Sequence, residues 1–364
     1  MTRLTRWRAR ARMRPDRGPP APRLLRGLSV NVERFVRRSL ARIREEGLHG
    51  IHEAVPPRYL RGVEMLGEAF EPGLVRSVEI YHKNHARAPD LIDPQSFGNK
   101  QLLFKFFGLV PEITPSDKLR AQDWLSPDLR AQILRPRILW RGLTPDLPAN
   151  DAIEPGTYWL KCNHGSGTNL PVTFPLSEED RVELRLLTKR WLRRVHSTRL
   201  SLWWYELMAR EIYLEEDLRE GEGDAADWKF YVCNGRVVLY QHDADRSGTH
   251  LQTVYSRAGT WLNKQLYVRK GLARPVPAPE RLELMVAAAE AIGQYFDFIR
   301  VDMFIRAGEI FLGEIGLVPN GCTKRIRDPE LDWMLGGAWQ APWLGRVSAG
   351  FAEGHYRRAW PFAA

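Results

Sequence analysis

The stretch IRVDMFIRAGEIFLGEI, residues 299–315, carries one acidic side chain on each of two predicted strands. Apolar and polar residues alternate along its first half, so Arg300 and Asp302 share one face of a strand. If the chain turns over three residues with Gly308 in the left-handed conformation, Glu314 on the returning strand lies directly opposite Asp302. Two carboxylates at that spacing repel each other unless a cation lies between them, and one interpretation is Mg²⁺ bound to a nucleotide phosphate. The alternative is a solvated hairpin face with a register shifted by one residue, and the residues alone leave both open.

The composition is that of a globular protein with one unusual terminus. Of the 364 residues, 44% are hydrophobic, which is enough for a large core divided between two or three subdomains. The formal net charge is +10, but residues 1–44 contain fourteen arginines, no lysine and two acidic residues. That segment carries +12 and leaves −2 for the rest of the chain, so we expect no nucleic-acid partner for the folded body.

The first 27 residues, 1–27, mix arginine with a proline-rich break, which is typical of a disordered tail. The alternatives are a terminus without a role and a tail weakly attracted to anionic lipid, at about 1 kcal/mol per basic residue at most. The tail lacks the apolar segment of a secretory signal, and no apolar run is long enough to span a bilayer. Because Cys162, Cys233 and Cys322 include no close pair, we expect a reduced, cytoplasmic protein without disulfides.

The pattern predicts a helical first part and a mixed second part. Apolar residues at helical spacing make residues 28–150 mainly helical, and a proline-rich connector, LTPDLPANDAIEPG, ends that region. Residues 151–325 combine strands, glycine turns and long helices, with a subdomain boundary near residue 215, and residues 326–364 form a C-terminal segment. Asn234-Gly235 is a strong hairpin signal. Ser177, followed by three acidic residues, predicts the capped start of a helix. The predicted fold class is α+β.

Several side chains of the second part could bind a nucleotide. Lys161 precedes HGSG, residues 164–167, where glycines let backbone N–H groups approach a phosphate. This is not the phosphate-binding loop that ends in GKS or GKT, and an ordinary turn is the alternative. Glu215 and Glu216 end a later strand, where they accept hydrogen bonds from adenine and ribose or simply face water.

Three further basic residues are candidates for binding anions. Lys229 shares a strand face with Asp227, and it serves either the nucleotide or an ion pair with that acid, worth less than about 1 kcal/mol. Arg246 and Arg300 suit a carboxylate or a transferring phosphoryl group, because a guanidinium binds two oxygens at once. Each of these residues is unremarkable by itself.

The order of these motifs resembles that of the ATP-grasp superfamily. More narrowly, seven segments look like the TupA-like ATP-grasp family: PDLIDPQSFGNK, SDKLR, LKCNHGSG, EIYLEEDL, DWKFYVCNG, IRVDMF and FLGE. The resemblance covers residues 88–325. It implies an ATP-grasp fold, in which two α+β subdomains clamp ATP, preceded here by a helical N-terminal region. The family is linked to the biosynthesis of teichuronopeptide and other cell-surface polysaccharides.

The resemblance also implies roles for individual residues. The matching positions near ATP are two lysines, Lys118 and Lys161, and the loop that closes over the phosphates, His164, Gly165, Ser166 and Gly167. Glu215 and Glu216 match the hinge that binds adenine and ribose. Asp302 and Glu314 match the Mg²⁺ carboxylates, and Arg300 matches an arginine that touches the γ-phosphate or an acyl-phosphate.

One position departs from the usual pattern of the superfamily. Many ATP-grasp enzymes place an asparagine metal ligand two residues after the glutamate, where this chain has Gly316. Asn320, a few residues further on, is the candidate to replace it. The number of metal ions therefore stays open.

The implied activity is an ATP- and Mg²⁺-dependent ligation of a carboxylate to an amine through an acyl-phosphate. The substrates would be small molecules or glycans that carry these groups. One alternative keeps the fold but transfers phosphate to a hydroxyl, as in a sugar kinase. The other is a glycan-assembly scaffold that has lost turnover, and Gly316 is the observation behind it.

Overall fold

The computed structural model describes residues 55–91, 93–219, 226–244, 251–267 and 275–347. The predicted tail and Arg246 lie outside the described residues. The helices are α1 Arg61–Leu66, α2 Phe70–His85, α3 Phe97–Phe107, α4 Pro127–Arg130, α5 Glu178–Leu192, α6 Ser197–Leu200, α7 Leu282–Gly293 and α8 Pro329–Ala338. Short 3₁₀ helices lie at Pro57–Tyr59, Gly67–Ala69, Lys118–Trp124, Asn150–Ala152, Trp203–Leu207 and Pro319–Cys322. None of the helices in these ranges is both long and apolar enough to cross a membrane.

The strands are β1 Ile133–Leu134, β2 Ile138–Gly142, β3 Gly156–Cys162, β4 Asn169–Phe174, β5 Ile212–Glu216, β6 Ala226–Cys233, β7 Arg236–Ala244, β8 Leu251–Ser256, β9 Phe298–Arg306 and β10 Glu309–Gly316. Within the described residues they form a larger sheet, in the order β1-β10-β9-β6-β7-β8, and a smaller sheet, in the order β2-β5-β3-β4. Among these strands only β1 pairs in parallel with its neighbour. β1 and β2 precede residue 150 but pair with strands that follow it, so each sheet includes residues from both sides of the predicted domain division. The division at residue 150 stays a prediction.

The larger sheet is covered differently on its two faces. Helix α7 contacts β6, β7 and β9, and its residues Met285, Ala288 and Ile292 are fully buried. At one end of the other face, the Phe97 ring of α3 packs against Phe298 with the ring centres 4.9 Å apart. The alternating side chains that follow Phe298 on β9 are Arg300 and Asp302. Polar residues of the strands therefore lie on the face that α7 does not cover.

The hairpin of β9 and β10 pairs the two predicted acidic residues, but its turn differs from the predicted one. The turn has two residues, Ala307 and Gly308, both with positive φ (49° and 76°), so the predicted three-residue turn is wrong. That turn alone would place Asp302 opposite Gly313, but a bulge between Leu312 and Glu314 shifts the register by one residue. Glu314 therefore pairs with Asp302, as predicted.

Two other local predictions are confirmed. The Asn234-Gly235 turn joins β6 to β7, and both of its residues have positive φ. Ser177 caps α5 by accepting a hydrogen bond from the Asp180 backbone N–H. Three acidic residues in the first turn of α5 favour the same start, since they lie at the positive end of the helix dipole.

Candidate active site

The polar face of the larger sheet holds a buried charge cluster centred on Asp302. Arg300 donates from Nε to Asp302 Oδ1 (2.6 Å) and from Nη2 to Asp302 Oδ2 (2.7 Å). Lys229 lies opposite Asp302 on β6, and its Nζ is 3.2 Å from Asp302 Oδ2. The side chain of Arg300 is 13% exposed, that of Asp302 6% and that of Lys229 9%. The structure thus brings Lys229 to the two residues that the sequence had placed together on one strand face.

The cluster holds its members in their charged forms. Burial alone would raise the pKa of Asp302, but the charges of Arg300 and Lys229 reverse this effect and lower it. For Arg300, burial would lower the pKa, and Asp302, Tyr231 and Glu314 together raise it well above its ordinary value. An ionised aspartate beside a permanently charged guanidinium is a suitable setting for a metal-bound phosphate.

Lys229 also contacts acids that sequence reasoning did not assign to the site. It forms an ion pair with Asp227, the partner weighed as an alternative, and its Nζ is 3.6 Å from Asp243 Oδ2. Gln241 and Gln252 donate to Asp243 Oδ1 at 2.8 and 3.2 Å. Asp227 pairs with Asp243 because the hairpin of β6 and β7 changes register after Tyr231. The Asn234-Gly235 signal alone would have placed His242 there, so the sequence did not indicate Asp243.

Glu314 is the more accessible of the two candidate metal carboxylates. Its side chain is 32% exposed, and Oε1 lies 3.9 Å from Arg300 Nη2. An ionised carboxylate has about four acceptor positions, so Asp302 keeps one beyond its bonds to Arg300 and Lys229. No group of three or more histidine, cysteine, aspartate or glutamate residues in the described ranges could hold a metal. The pair fits Mg²⁺, which is often held by one or two carboxylates with the remaining positions filled by phosphate and water.

Asn320 and Gly316 lie beyond this pair. Gly316 ends β10 opposite Arg300. Asn320 is exposed in the 3₁₀ helix that follows, and its side chain shares a hydrogen bond with Tyr267. Tyr267 is buried, which raises its pKa to about 12, and it also interacts with Arg300. Asn320 thus lies near the cluster through Tyr267, and its role as a metal ligand stays a prediction.

The smaller sheet carries the candidate nucleotide residues. Lys161 on β3 forms an ion pair with Glu215 on β5, and Glu215 is 8% exposed. Glu216 accepts a hydrogen bond from the Arg137 backbone N–H at 2.8 Å. Lys118 Nζ donates to the Gly165 carbonyl at 2.5 Å, which joins the first predicted lysine to the glycine loop. Both glutamates already have partners, so adenine or ribose would have to share or replace them.

The glycine loop rests on a histidine that sequence reasoning missed. Gly165 and Gly167 have φ of 75° and 74°, a conformation that favours glycine. A Cβ added at Gly165 would lie 2.5 Å from His196 Cε1, whereas nothing lies within 4 Å of a Cβ at Gly167. His164 is fully buried, and its Nδ1 is 3.0 Å from Cys162 Sγ. Nothing near residue 165 in the sequence indicated His196, because it approaches the loop only through the fold.

Burial keeps both histidines beneath the loop neutral. It lowers the pKa of His164 to about 4 and that of His196 to about 3, with smaller contributions from nearby basic residues. The two rings meet edge to face, 5.6 Å between centres. A neutral imidazole brings no positive charge to a phosphate, and the predicted place of His164 in the phosphate loop stays a prediction.

Electrostatic contacts connect the two sheets. The charges of Glu215 and Glu314, added to burial, raise the pKa of Tyr213 well above its ordinary value. Burial raises the pKa of Tyr205, the charge of Glu314 raises it further, and the charge of Arg300 opposes this effect. The 3₁₀ helix that begins at Lys118 also contacts β10. Lys161 and Glu215, which share a face of the smaller sheet with Tyr213, thus lie on the side close to the charge cluster.

Three solved structures share a distant likeness with this chain. The ATP-grasp ligase PsnB complexed with minimal precursor is 14% identical over 66% of this chain and 60% of that chain, with a TM-score of 0.30. D-alanine–D-alanine ligase from Bacillus anthracis is 14% identical over 67% and 68%, with a TM-score of 0.34. VanG D-Ala:D-Ser ligase from Enterococcus faecalis is 17% identical over 70% and 69%, with a TM-score of 0.37. Scores this low support no inference, and this chain spans only 60% of the PsnB structure.

The family comparison is stronger. No curated protein matches the chain. A family model described as TupA-like ATPgrasp matches residues 111–340, which overlap most of the range carrying the motif resemblance. Since this match covers more than half of the sequence, the protein belongs to the TupA-like ATP-grasp family, and both the predicted family and the predicted α+β ATP-grasp fold are confirmed.

Proposed function

We propose that the protein is an ATP- and Mg²⁺-dependent ligase that joins a carboxylate to an amine through an acyl-phosphate. The observation that carries the proposal is the buried Arg300–Asp302 pair with Glu314 directly opposite it, in a chain of the ATP-grasp family. Cys162 lies 3.0 Å from His164, but both residues are fully buried and burial raises the pKa of the Cys162 thiol to about 11, so the pair does not form an activated nucleophile. The proposed chemistry needs none.

Asp302 and Glu314 are the residues that would hold Mg²⁺. When bound, the ion would offset the negative charge of the nucleotide phosphates. Lys229 and Arg300 keep Asp302 ionised, and they would do so whether or not the ion is present. These charges are already in place before the reaction, so the side chains need not rearrange when negative charge develops on the oxygen atoms of the transferred phosphoryl group.

Arg300 is the proposed catalytic residue. Its bonds to Asp302 use Nε and Nη2, which leaves Nη1 for an oxyanion of the substrate. The fixed guanidinium would stabilise the phosphoryl group as it passes to the substrate carboxylate. Arg246, the second predicted catalytic arginine, lies outside the described residues and stays a prediction.

The nucleotide would be bound mainly by the smaller sheet. Lys118, Lys161 and the backbone N–H groups of the loop at Gly165 to Gly167 are the proposed phosphate ligands. Lys229 is proposed to serve the same phosphates from the larger sheet. Glu215 and Glu216 are the proposed acceptors for adenine and ribose.

The proposed setting is the synthesis of a cell-surface polysaccharide, with small-molecule or glycan substrates. This part rests on the association of the family with teichuronopeptide and related polymers. We propose the cytoplasm as the location, because ATP is supplied there and the three cysteines are free thiols.

Phosphate release tests the activity. Purified protein is incubated with ATP, Mg²⁺ and uronic acids, with and without amino acids as amines, and ADP, free phosphate and amide are measured. A ligase releases ADP and phosphate together only when both substrates are present. Formation of ADP without free phosphate would favour the kinase, and ATP binding without turnover in any mixture would favour the scaffold.

A matched pair of variants separates the metal site from general effects on β10. Glu314→Gln should abolish product formation. Glu309→Gln makes the same change on the same strand, where the side chain is 55% exposed and faces Arg281, so it should leave product formation unchanged. Equal activity of the two variants would exclude Glu314 from the reaction.

A further inference from the structure

The outward face of α5 combines exposed aliphatic and basic side chains. The helix buries Leu184, Leu187, Thr188 and Trp191 against the protein. On the opposite side, Val182 and Leu186 are each 59% exposed. Lys189, Arg190 and Arg193, towards the C-terminal end, are exposed as well.

These exposed residues form one stripe. At about 100° per residue, Val182, Leu186, Lys189 and Arg193 point within roughly 60° of one another. Arg190 lies beside the stripe. Three residues of the stripe, Leu186, Lys189 and Arg193, line an open depression on the surface together with Arg190. The helix therefore buries one apolar face against the protein and carries a stripe of aliphatic and basic side chains on its exposed face.

The charges on the stripe are unbalanced. The acidic residues Glu178, Glu179 and Asp180 lie in the first turn of α5. Within the described ranges, Lys189, Arg190 and Arg193 form no ion pair with an acid. Three cations thus face solvent within about one helical turn, next to an exposed leucine.

We propose that this face of α5 docks on an anionic lipid bilayer, with the C-terminal half of the helix leading. The three cations would contact lipid phosphates, while Leu186 and Val182 enter the boundary between head groups and acyl chains. Charge complementarity argues for an anionic partner. The exposed aliphatic side chains that precede the cations favour a lipid surface over an acidic polysaccharide, which offers no apolar layer to receive them.

The docked face lies beside the proposed nucleotide loop. Arg194 follows Arg193 in the chain, and its Nη1 donates to the Ser166 carbonyl at 3.4 Å. The inference does not depend on the proposed ligase activity. It adds a location for that activity, at the surface where a lipid-linked substrate would be found.

Vesicle co-sedimentation of the full-length protein tests the proposal, with phosphatidylcholine vesicles that contain or lack phosphatidylglycerol. The wild-type protein should bind only the anionic vesicles. In the variant K189Q/R190Q/R193Q, three losses of about 1 kcal/mol each should weaken the partition about 100-fold. Leu186→Ser, which keeps every charge, should weaken it about tenfold through the lost apolar contact.

A second triple variant controls for net charge and for the arginine-rich tail, which is present in all proteins tested. K83Q/R87Q/R325Q removes three exposed basic residues elsewhere and should retain most of the binding. Thermal melts identify any variant that fails to fold, in which case Leu186→Ser decides. Equal losses in the two triple variants, unchanged binding by Leu186→Ser, or binding to soluble polygalacturonate instead of vesicles would each overturn the proposal.

Discussion

Gly165 and Gly167 allow a direct test of how the proposed phosphate loop is supported. Both have φ near 75°, so an alanine at either position meets the same backbone penalty of about 1–2 kcal/mol. Only at Gly165 would the added Cβ collide, because His196 Cε1 lies 2.5 Å from it. The His196 ring cannot move away easily, since it packs between His164 and Tyr205 with ring centres 5.6 and 4.9 Å away.

The collision at Gly165 should add about 1–3 kcal/mol, the usual cost of overpacking a filled site. We therefore expect Gly165→Ala to lower the free energy of unfolding by about 2–5 kcal/mol, and Gly167→Ala by about 1–2 kcal/mol. Both variants should bind ATP less tightly, because each changes the loop conformation. The difference in stability between them isolates the contact with His196.

Urea unfolding of the two variants, of His196→Ala and of the double variant Gly165→Ala/His196→Ala completes the test. Removing the imidazole makes room for the new methyl group, so the double variant should be about 1–3 kcal/mol more stable than the sum of the single effects predicts. Equal destabilisation by the two glycine substitutions would refute the reasoning. So would additive effects of Gly165→Ala and His196→Ala, because they would show that the loop does not rest on the histidine.

Three further predictions concern the charge cluster and the buried histidines. Asp302→Asn removes the carboxylate that binds the buried Arg300 through two hydrogen bonds and should cost about 3–5 kcal/mol, as thermal melts would show. Glu314→Gln should cost less than about 1 kcal/mol but lower ATP turnover at least about 100-fold, as phosphate release would show. Gly316→Asn should fit, because an added Cβ would lie 3.8 Å from Arg300 Cζ. The new side chain adds a metal ligand, so it should lower the half-saturating Mg²⁺ concentration for phosphate release about tenfold. In the folded protein the pKa values of His164 and His196 are about 4 and 3, below the ordinary 6.5, so the unfolded chain binds more protons than the folded chain does. The free energy of unfolding should therefore fall as the pH drops below 6.5, by about 2 kcal/mol per histidine at pH 5.

Each of these expectations has a specific contradiction. Equal melting temperatures for Asp302→Asn and Glu314→Gln would show that the buried cations do not depend on Asp302. An unchanged Mg²⁺ requirement in a stable Gly316→Asn protein would place the metal away from the end of β10. His196→Asn should reduce the pH dependence, and an identical slope in that variant would assign the effect to other groups.

The local features of the fold could be predicted from the sequence because they depend on neighbouring residues. The alternation around Arg300 and Asp302 follows from the two-residue period of a strand. The turns at Gly308 and Asn234-Gly235 follow from the positive φ that these residues tolerate. The Ser177 cap needs only the backbone N–H groups of the helix that it starts. The motif order then indicated the family, which the family model confirms.

The register of the hairpins was beyond local reasoning. The predicted pairing of Asp302 with Glu314 is correct only because a two-residue turn is combined with a bulge at Gly313. A Cβ at that glycine would lie 2.9 Å from Phe304 Cδ2, so the packing of β9 requires the small residue. A similar change of register after Tyr231 selects Asp243 as a neighbour of Lys229.

By itself, the sequence determined which residue types are available and which strand, turn or helix end each occupies, since these depend on steric preferences within a few residues. Tertiary structure alone decided that Lys229, Arg300 and Asp302 share one buried cluster, because β6 and β9 pair across about seventy residues of chain. It also decided that His196 supports a loop thirty-one residues before it in the sequence. Charge states follow from those contacts, because burial and neighbouring charges shift a pKa only after the chain has packed.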